Sequence, residues 1–305
     1  MPKPSLFAVA LVAPLTIAVQ LAASSPQVDE KVTEILNAAR QALGGEQALS
    51  KVQTLSITGA TRRVMGEREI NGDVTVELLL PDKMKRTDSF GIPGGPTMER
   101  VSVLNGDEVW DDSTNRGGGG FMMRVGPGGP GGPGGPGGPG RELTEEDKQR
   151  MRDAQVRRMK GDMARFALGF LLRTDASITY GGVAEAEDGK ADVLDIKPLG
   201  GTPMKLFIDQ ATHLPLMVSY EGIMPRMMVA RGGPPSPEEI EKMRREPPQT
   251  ATFEVRYSEY KDVGGVLFPH VLTTGANGNI TEEWSIDKIK VNPSLKAESF
   301  AKKGS

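Results

Sequence analysis

The stretch VLFPHVLTTGANGNITEEWSIDKIK, residues 266–290, decides the fold class. Two runs rich in β-branched and aromatic residues, Val266–Thr274 and Ile280–Lys290, flank Asn277-Gly278. That dipeptide accepts the left-handed φ that a two-residue hairpin turn demands. Working outward, Phe253, Val255 and Tyr257 alternate with Glu254, Arg256 and Ser258, the period-two signature of a half-buried strand. Met204–Ile208 and Leu214–Glu221 pair around Asp209–His213, and Ser177–Glu187 and Lys190–Ile196 around Asp188-Gly189. The pattern also opens the chain. Leu55, Ile57 and Gly59 alternate with Ser56, Thr58 and Ala60; Val74, Val76, Leu78 and Leu80 alternate with Thr75 and Glu77, although Leu79 interrupts the polar face. Asn105-Gly106 marks a further hairpin between Met98–Leu104 and Asp107–Asp111. Some eleven or twelve strands joined by short turns predict one antiparallel sheet.

Two helices accompany it. Val32, Ile35, Leu36, Ala39, Ala42 and Leu43 recur at three-to-four spacing until Gly44-Gly45 supplies a left-handed stop, so a helix is expected over Val28–Leu43. Thr144-Glu145-Glu146-Asp147 has the form of a capping box. It opens a long helix whose apolar stripe, Met151, Val156, Met159, Met163, Phe166 and Phe170, thickens toward its end. Its first turns are charged all round and should project into water.

Two segments read as insertions between strands of a single domain. Residues 117–140 contain five Gly-Pro-Gly triplets, an extended linker with neither amide donors at proline nor side chains to bury. Residues 224–250 mix Pro234-Pro235, Pro247-Pro248 and methionines with a short charged helix from Pro237 to Arg245. At the other end, Lys3, the uncharged run Leu6–Ala23 and the small residues Leu21-Ala22-Ala23 have the three-part form of a secretory leader cleaved after Ala23. The expected organisation is therefore a signal peptide over 1–23 and one domain over 24–305. The address is the periplasm, with no membrane span after cleavage.

Composition narrows the chemistry. The chain has no cysteine, which excludes disulfides, thiolate ligands, a cysteine nucleophile and a lipidated N-terminal cysteine. Lys and Arg number 37 against 40 Asp and Glu, and the leader removes only Lys3 from the basic side. That balance supplies no positive field for nucleic acid. The two histidines, His213 in a turn and His270 in a strand, have no partner at metal-ligand spacing. No nucleophile elbow or phosphate loop occurs. Asp107, Glu108, Asp111 and Asp112 are dense but alternate between sheet faces, so they read as a solvated hairpin edge and not a cation site. No catalytic residue, metal or cofactor is assigned. Of fifteen methionines, Met159 and Met163 read as core on the helix stripe, whereas Met224, Met227 and Met228 read as loop-covering.

Several stretches resemble the outer-membrane lipoprotein-sorting, or LolA-like carrier, superfamily. They are the helix ending Ala42-Leu43-Gly44-Gly45 with Leu49-Ser50-Lys51-Val52-Gln53-Thr54-Leu55 entering the first strand; Phe207-Ile208-Asp209-Gln210-Ala211-Thr212-His213-Leu214-Pro215; Tyr257-Ser258-Glu259-Tyr260 with Gly264-Gly265-Val266-Leu267-Phe268-Pro269; and Ile289-Lys290-Val291-Asn292-Pro293 with Phe300. The resemblance implies an α+β fold: an open, curved antiparallel half-barrel of about eleven strands with an N-terminal helix and a central lid helix. It also implies periplasmic carriage of acylated cargo without catalysis. Candidate cavity residues, each on an alternating strand or the helix stripe, are Val103, Phe207, Phe253, Val255, Phe268, Trp284, Ile286, Phe166 and Phe170. An early-strand arginine that locks a lid would be sought at Arg62 or Arg63, and the glycine–proline insertion is foreign to the carriers. The expected partner is an apolar or acylated ligand, including a lipoprotein. The same fold used as an envelope sensor or scaffold, meeting a protein partner through 224–250, is the competing expectation.

Overall fold

The computed structural model describes residues 26–65, 68–91, 97–116, 145–170, 176–187, 189–198, 202–224 and 249–302. The leader, the glycine–proline tract and nearly all of the 224–250 insertion, with its short helix, lie outside the described residues. Helix α1 (Pro26–Ala42) and the single turn α2 (Glu46–Leu49) lead into five strands, β1 (Thr54–Met65), β2 (Arg68–Leu79), β3 (Lys83–Gly91), β4 (Thr97–Asn105) and β5 (Glu108–Arg116). Helix α3 (Glu145–Phe170) follows. The chain then forms β6 (Ala176–Ala186), β7 (Gly189–Pro198), β8 (Met204–Asp209), β9 (Pro215–Ile223), β10 (Thr250–Val263), β11 (Val266–Ala276) and β12 (Asn279–Val291), and ends in a 3-10 turn, Ala297–Phe300. Among the described residues, no helix is long and apolar enough to cross a membrane.

All twelve strands form one antiparallel sheet in the order β5-β4-β3-β2-β1-β12-β11-β10-β9-β8-β7-β6. The last strand returns to pair with the first, and β5 and β6 are left as two free edges, so the sheet is open. The strands on either side of both insertions belong to this one sheet. Asn277 and Gly278 adopt φ of 49° and 79°, the turn their sequence demands. At Asn105-Gly106 the turn falls one residue later: Asn105 still pairs with Glu108, and the loop is Gly106-Asp107. The glycine carries the positive φ of 64°, and its amide donates to the Asp82 carbonyl at 3.0 Å.

Connectivity and helix contacts require the sheet to curl. Lys160 of α3 pairs with Asp107 at the β4–β5 turn, while Arg165, one and a half turns on, lies over Tyr220 of β9. Those strands are eight positions apart in the sheet, roughly 38 Å along it. The two helix residues are about 7.5 Å apart along the axis. Only a strongly bent sheet brings both walls within side-chain reach. Gly59 and Gly72 help it bend. A Cβ at Gly59 would stand 2.2 Å from the Ser285 carbonyl oxygen, and one at Gly72 2.3 Å from that of Ser89. The β1–β12 register slips at Thr58/Gly59, a bulge that adds local twist.

The inner face holds the main core. Leu55, Ile57, Val76, Leu78, Leu104, Leu194, Leu206, Val218 and Phe268 are essentially inaccessible there. Helix α1 buries Val32, Ile35, Leu36 and Ala39 on this face, and Leu43 just past its end. The turn after α1 is fixed to the sheet through its backbone: Leu267 donates its amide to the Leu43 carbonyl at 2.9 Å. The outer face carries cross-strand ion pairs such as Arg62–Glu69 and Lys85–Glu77. Its covered part lies under the C-terminal 3-10 turn, where Phe300 is fully buried and the Trp110 indole donates to its carbonyl at 3.1 Å.

Candidate functional site

Strand alternation aims a continuous set of aromatic and aliphatic side chains at the underside of α3. On β12, Trp284 pairs with Thr61 on one side and Leu272 on the other; Leu272 pairs with Tyr257 of β10. Val255 pairs with Val218 of β9, and Phe253 with Tyr220. From above, α3 presents Met159, Met163, Ala164 and Phe166, all buried, in agreement with the core reading of the two methionines. Its first turns, including Glu145, Glu146, Lys148 and Arg152, are exposed as their charge requires.

The helix meets this wall through side chains. Phe166 packs on Trp284 with ring centroids 5.6 Å apart and a tilt of 45°. The Tyr257 hydroxyl, whose ionisation burial pushes well above the usual range, donates to the Arg165 carbonyl at 3.0 Å. The Arg165 guanidinium sits 4.2 Å above the Tyr220 ring, which stacks on Phe253 at 5.5 Å. At the charged end, Gln155 donates to Asp111 at 2.7 Å and Lys160 pairs with Asp107. Two members of the acidic cluster thus help to seat the helix. Among the described residues, no group of three or more His, Asp or Glu side chains could hold a metal ion.

Beside Trp284 the inner wall carries four charges. Arg86 lies 4.8 Å over the Trp284 ring. Its Nε donates to Asp88 Oδ2 at 2.9 Å, and its Nη2 to Asp88 Oδ1 at 2.8 Å and Glu282 Oε1 at 3.1 Å. Arg63 closes the square: its Nε donates to Glu282 Oε1 at 2.8 Å, its Nη2 to Asp88, and its guanidinium lies 5.9 Å over Phe90. Burial alone would raise the carboxyls of Asp88 and Glu282, but Arg86 and Arg63 outweigh it and hold both below the usual carboxylate range. Burial likewise works against the Arg86 charge, and Glu282 and Asp88 more than restore it.

Of the nine residues picked out in the sequence, Phe166, Val255, Phe268, Trp284 and Ile286 are buried on the inner side, and Phe253 joins them half-buried. Phe170 ends α3, its side chain outside the described residues. Val103 and Phe207 need correction. Val103 pairs with Lys85 and Trp110 on the outer face; it is buried because the C-terminal turn covers that part of the sheet. Phe207 pairs with Val193 and Met217, also outward, while its neighbours Leu206 and Ile208 point in. Phe207 sits in the apolar run Leu206-Phe207-Ile208, where either phase fits, whereas Val103 alternates with Ser102 but on the covered outer face. The charged square was missed, apart from Arg63, although it left a signal. In Met84-Lys85-Arg86-Thr87-Asp88-Ser89-Phe90 the charges Arg86 and Asp88 fall in phase with apolar Met84 and Phe90, as Glu282 does with Trp284 and Ile286.

No family model matches the chain, and no curated protein does. Among solved structures it is similar to a LolA superfamily protein from Nitrosomonas europaea, with 12% identity and a TM-score of 0.48 over 87% of this chain and 97% of that one. It is also similar to a DUF1329 family protein from Desulfovibrio piger, with 10% identity and a TM-score of 0.45 over 88% and 97%. A third is a putative outer membrane lipoprotein-sorting protein domain from Vibrio parahaemolyticus, with 11% identity and a TM-score of 0.41 over 89% and 96%. At these identities no residue role passes from them to this chain.

Proposed function

We propose that this is a periplasmic, non-catalytic binding or carrier protein whose ligand places an acyl chain or similar apolar group between α3 and the inner wall of the sheet. One observation supports the reading: the described contacts of α3 with the sheet are made by side chains that line the inner wall, Phe166 on Trp284 and Arg165 on Tyr220 among them. Phe166, Arg165, Gln155, Lys160 and the Tyr257 hydroxyl do the holding. A cover so attached can lift and reseat without breaking the sheet, and lifting it uncovers Trp284, Tyr257, Tyr220 and Phe253. Hydrocarbon burial at about 0.8 kcal/mol per methylene gives useful affinity from one chain. The leader-like N-terminus and the resemblance to lipoprotein carriers support the same reading.

The test is to purify the secreted form without detergent, extract it with organic solvent and analyse the extract by mass spectrometry. A stoichiometric acylated compound is expected, as is binding of an apolar fluorescent dye that the extracted compound displaces. A clean extract from a protein that also ignores the dye refutes the proposal.

A further inference from the structure

An inner wall built only to bury hydrocarbon has no use for four charged side chains, yet Arg63, Arg86, Asp88 and Glu282 stand on it. Each guanidinium has five N–H donors. Nε and Nη2 of both arginines are taken within the square, whereas Nη1 of both has no acceptor among the described residues. No described side-chain nitrogen or oxygen is both fully buried and unpartnered, so these two NH2 groups keep some contact with solvent. The arginine side chains keep 26% and 22% of their surface exposed. Glu282 Oε2, also without a described donor, keeps some contact with solvent by the same reasoning.

The charge of the square selects what can dock there. Two guanidinium charges are cancelled by two carboxylates in direct contact, so the group has no net positive field for an anion. A phosphate or free carboxylate would also approach Glu282 Oε2. An uncharged carbonyl oxygen meets neither obstacle and gains a hydrogen bond from a charged donor, the stronger kind. Arg86 itself lies on Trp284, which packs on Phe166 of the cover, so these donors stand at the side of the proposed chain site. We infer that the free edges of Arg63 and Arg86 bind the carbonyl of an ester- or amide-linked acyl chain. On this inference, which rests on the carrier reading above, the ligand is a neutral acyl ester or acyl amide. Free fatty acids and alkyl phosphates are poor ligands.

The experiment is competition against an apolar fluorescent dye, using probes of one chain length: a monoacylglycerol, an N-acyl amide, a free fatty acid, an alkyl phosphate and a hydrocarbon with no head group. Wild-type protein is expected to bind the ester and the amide about tenfold more tightly than the other three, the scale of one hydrogen bond to a charged group. Arg86→Lys, and the charge-balanced pair Arg63→Gln with Glu282→Gln, should abolish that preference, read within each variant as the ratio of ester or amide binding to hydrocarbon binding. Equal binding of all five probes, tightest binding of the acid or phosphate, or a preference that survives in both variants overturns the inference and leaves the carrier reading standing. Failure of every probe to displace a bound dye overturns the inference; failure of the dye to bind, together with a clean organic extract, removes both. Where a variant does not fold, by circular dichroism, the wild-type ranking decides.

Discussion

Replacing Phe166 by alanine should undock α3 while leaving the sheet intact. Phe166 is buried and packs on Trp284. Truncating a buried phenylalanine in a rigid core costs about 3–5 kcal/mol. Here the low end applies, because a side-chain-held helix can shift to close the gap. About 3 kcal/mol off the docking of α3 raises the population of its undocked state roughly 150-fold. The assay is hydrogen exchange read by mass spectrometry on peptides from 145–170 and from β10–β12. In the variant, α3 amides should exchange about two orders of magnitude faster, sheet amides should stay close to wild type, and Trp284 emission should shift red as its ring is uncovered. Equal acceleration in α3 and in β10–β12 would refute the reasoning, since it would make the helix part of the cooperative core.

Acid should weaken the fold through the charged square. Asp88 and Glu282 are held below their ordinary carboxyl values, so their stabilisation is fully present above about pH 5 and is lost as pH falls through the folded values. Urea midpoints measured from neutral to acid pH should fall steeply below about pH 4, and Asp88→Asn should flatten that fall. Asn292→Ala should cost roughly 1–3 kcal/mol in thermal or urea melts. The Asn292 side chain accepts from Gln53 at 2.8 Å and Thr54 at 3.3 Å and donates to Lys51 at 2.9 Å, tying the end of β12 to the entry of β1. Gly44→Ala should leave little folded protein by circular dichroism, because at φ 125° its Cβ would stand 2.1 Å from the Gly265 carbonyl oxygen.

The strands and turns were readable because their signals are local. Asn277-Gly278 needs only its own backbone to turn, and the alternation in Phe253–Ser258 fixes a face without reference to the rest of the chain. Phase was readable only where polar and apolar residues alternate cleanly. Lys205-Leu206-Phe207-Ile208 is apolar at three successive positions, and the structure turns Phe207 outward beside Met217. Val103 illustrates a second limit. Its burial comes from the 3-10 turn near residue 300, a contact across almost two hundred positions that no periodicity announces. The charged square needed partners from β1, β3 and β12 at once, and only the in-phase charges hinted that something on the inner wall must neutralise them.

Chain order explains why the cover and the opening belong together. Strands β1 to β5 are laid down outward from one middle strand, and β6 to β12 return inward to pair with it. The chain must therefore pass from one free edge of the sheet to the other, and α3 lies on that passage. A 26-residue helix is about 39 Å long, shorter than the roughly 53 Å the sheet measures along its arc. Its contacts with Asp111 of β5 and Tyr220 of β9 put it across the hollow side of the bent sheet. Connectivity thus requires a segment that crosses between the edges, and the contacts of α3 place that segment over the inner face. Every described strand pairs only with other strands, so no described strand pairing depends on its seat. Side chains such as Phe166 and Arg165 then decide only how firmly it rests, which makes the strength of the cover adjustable by substitution without altering the sheet.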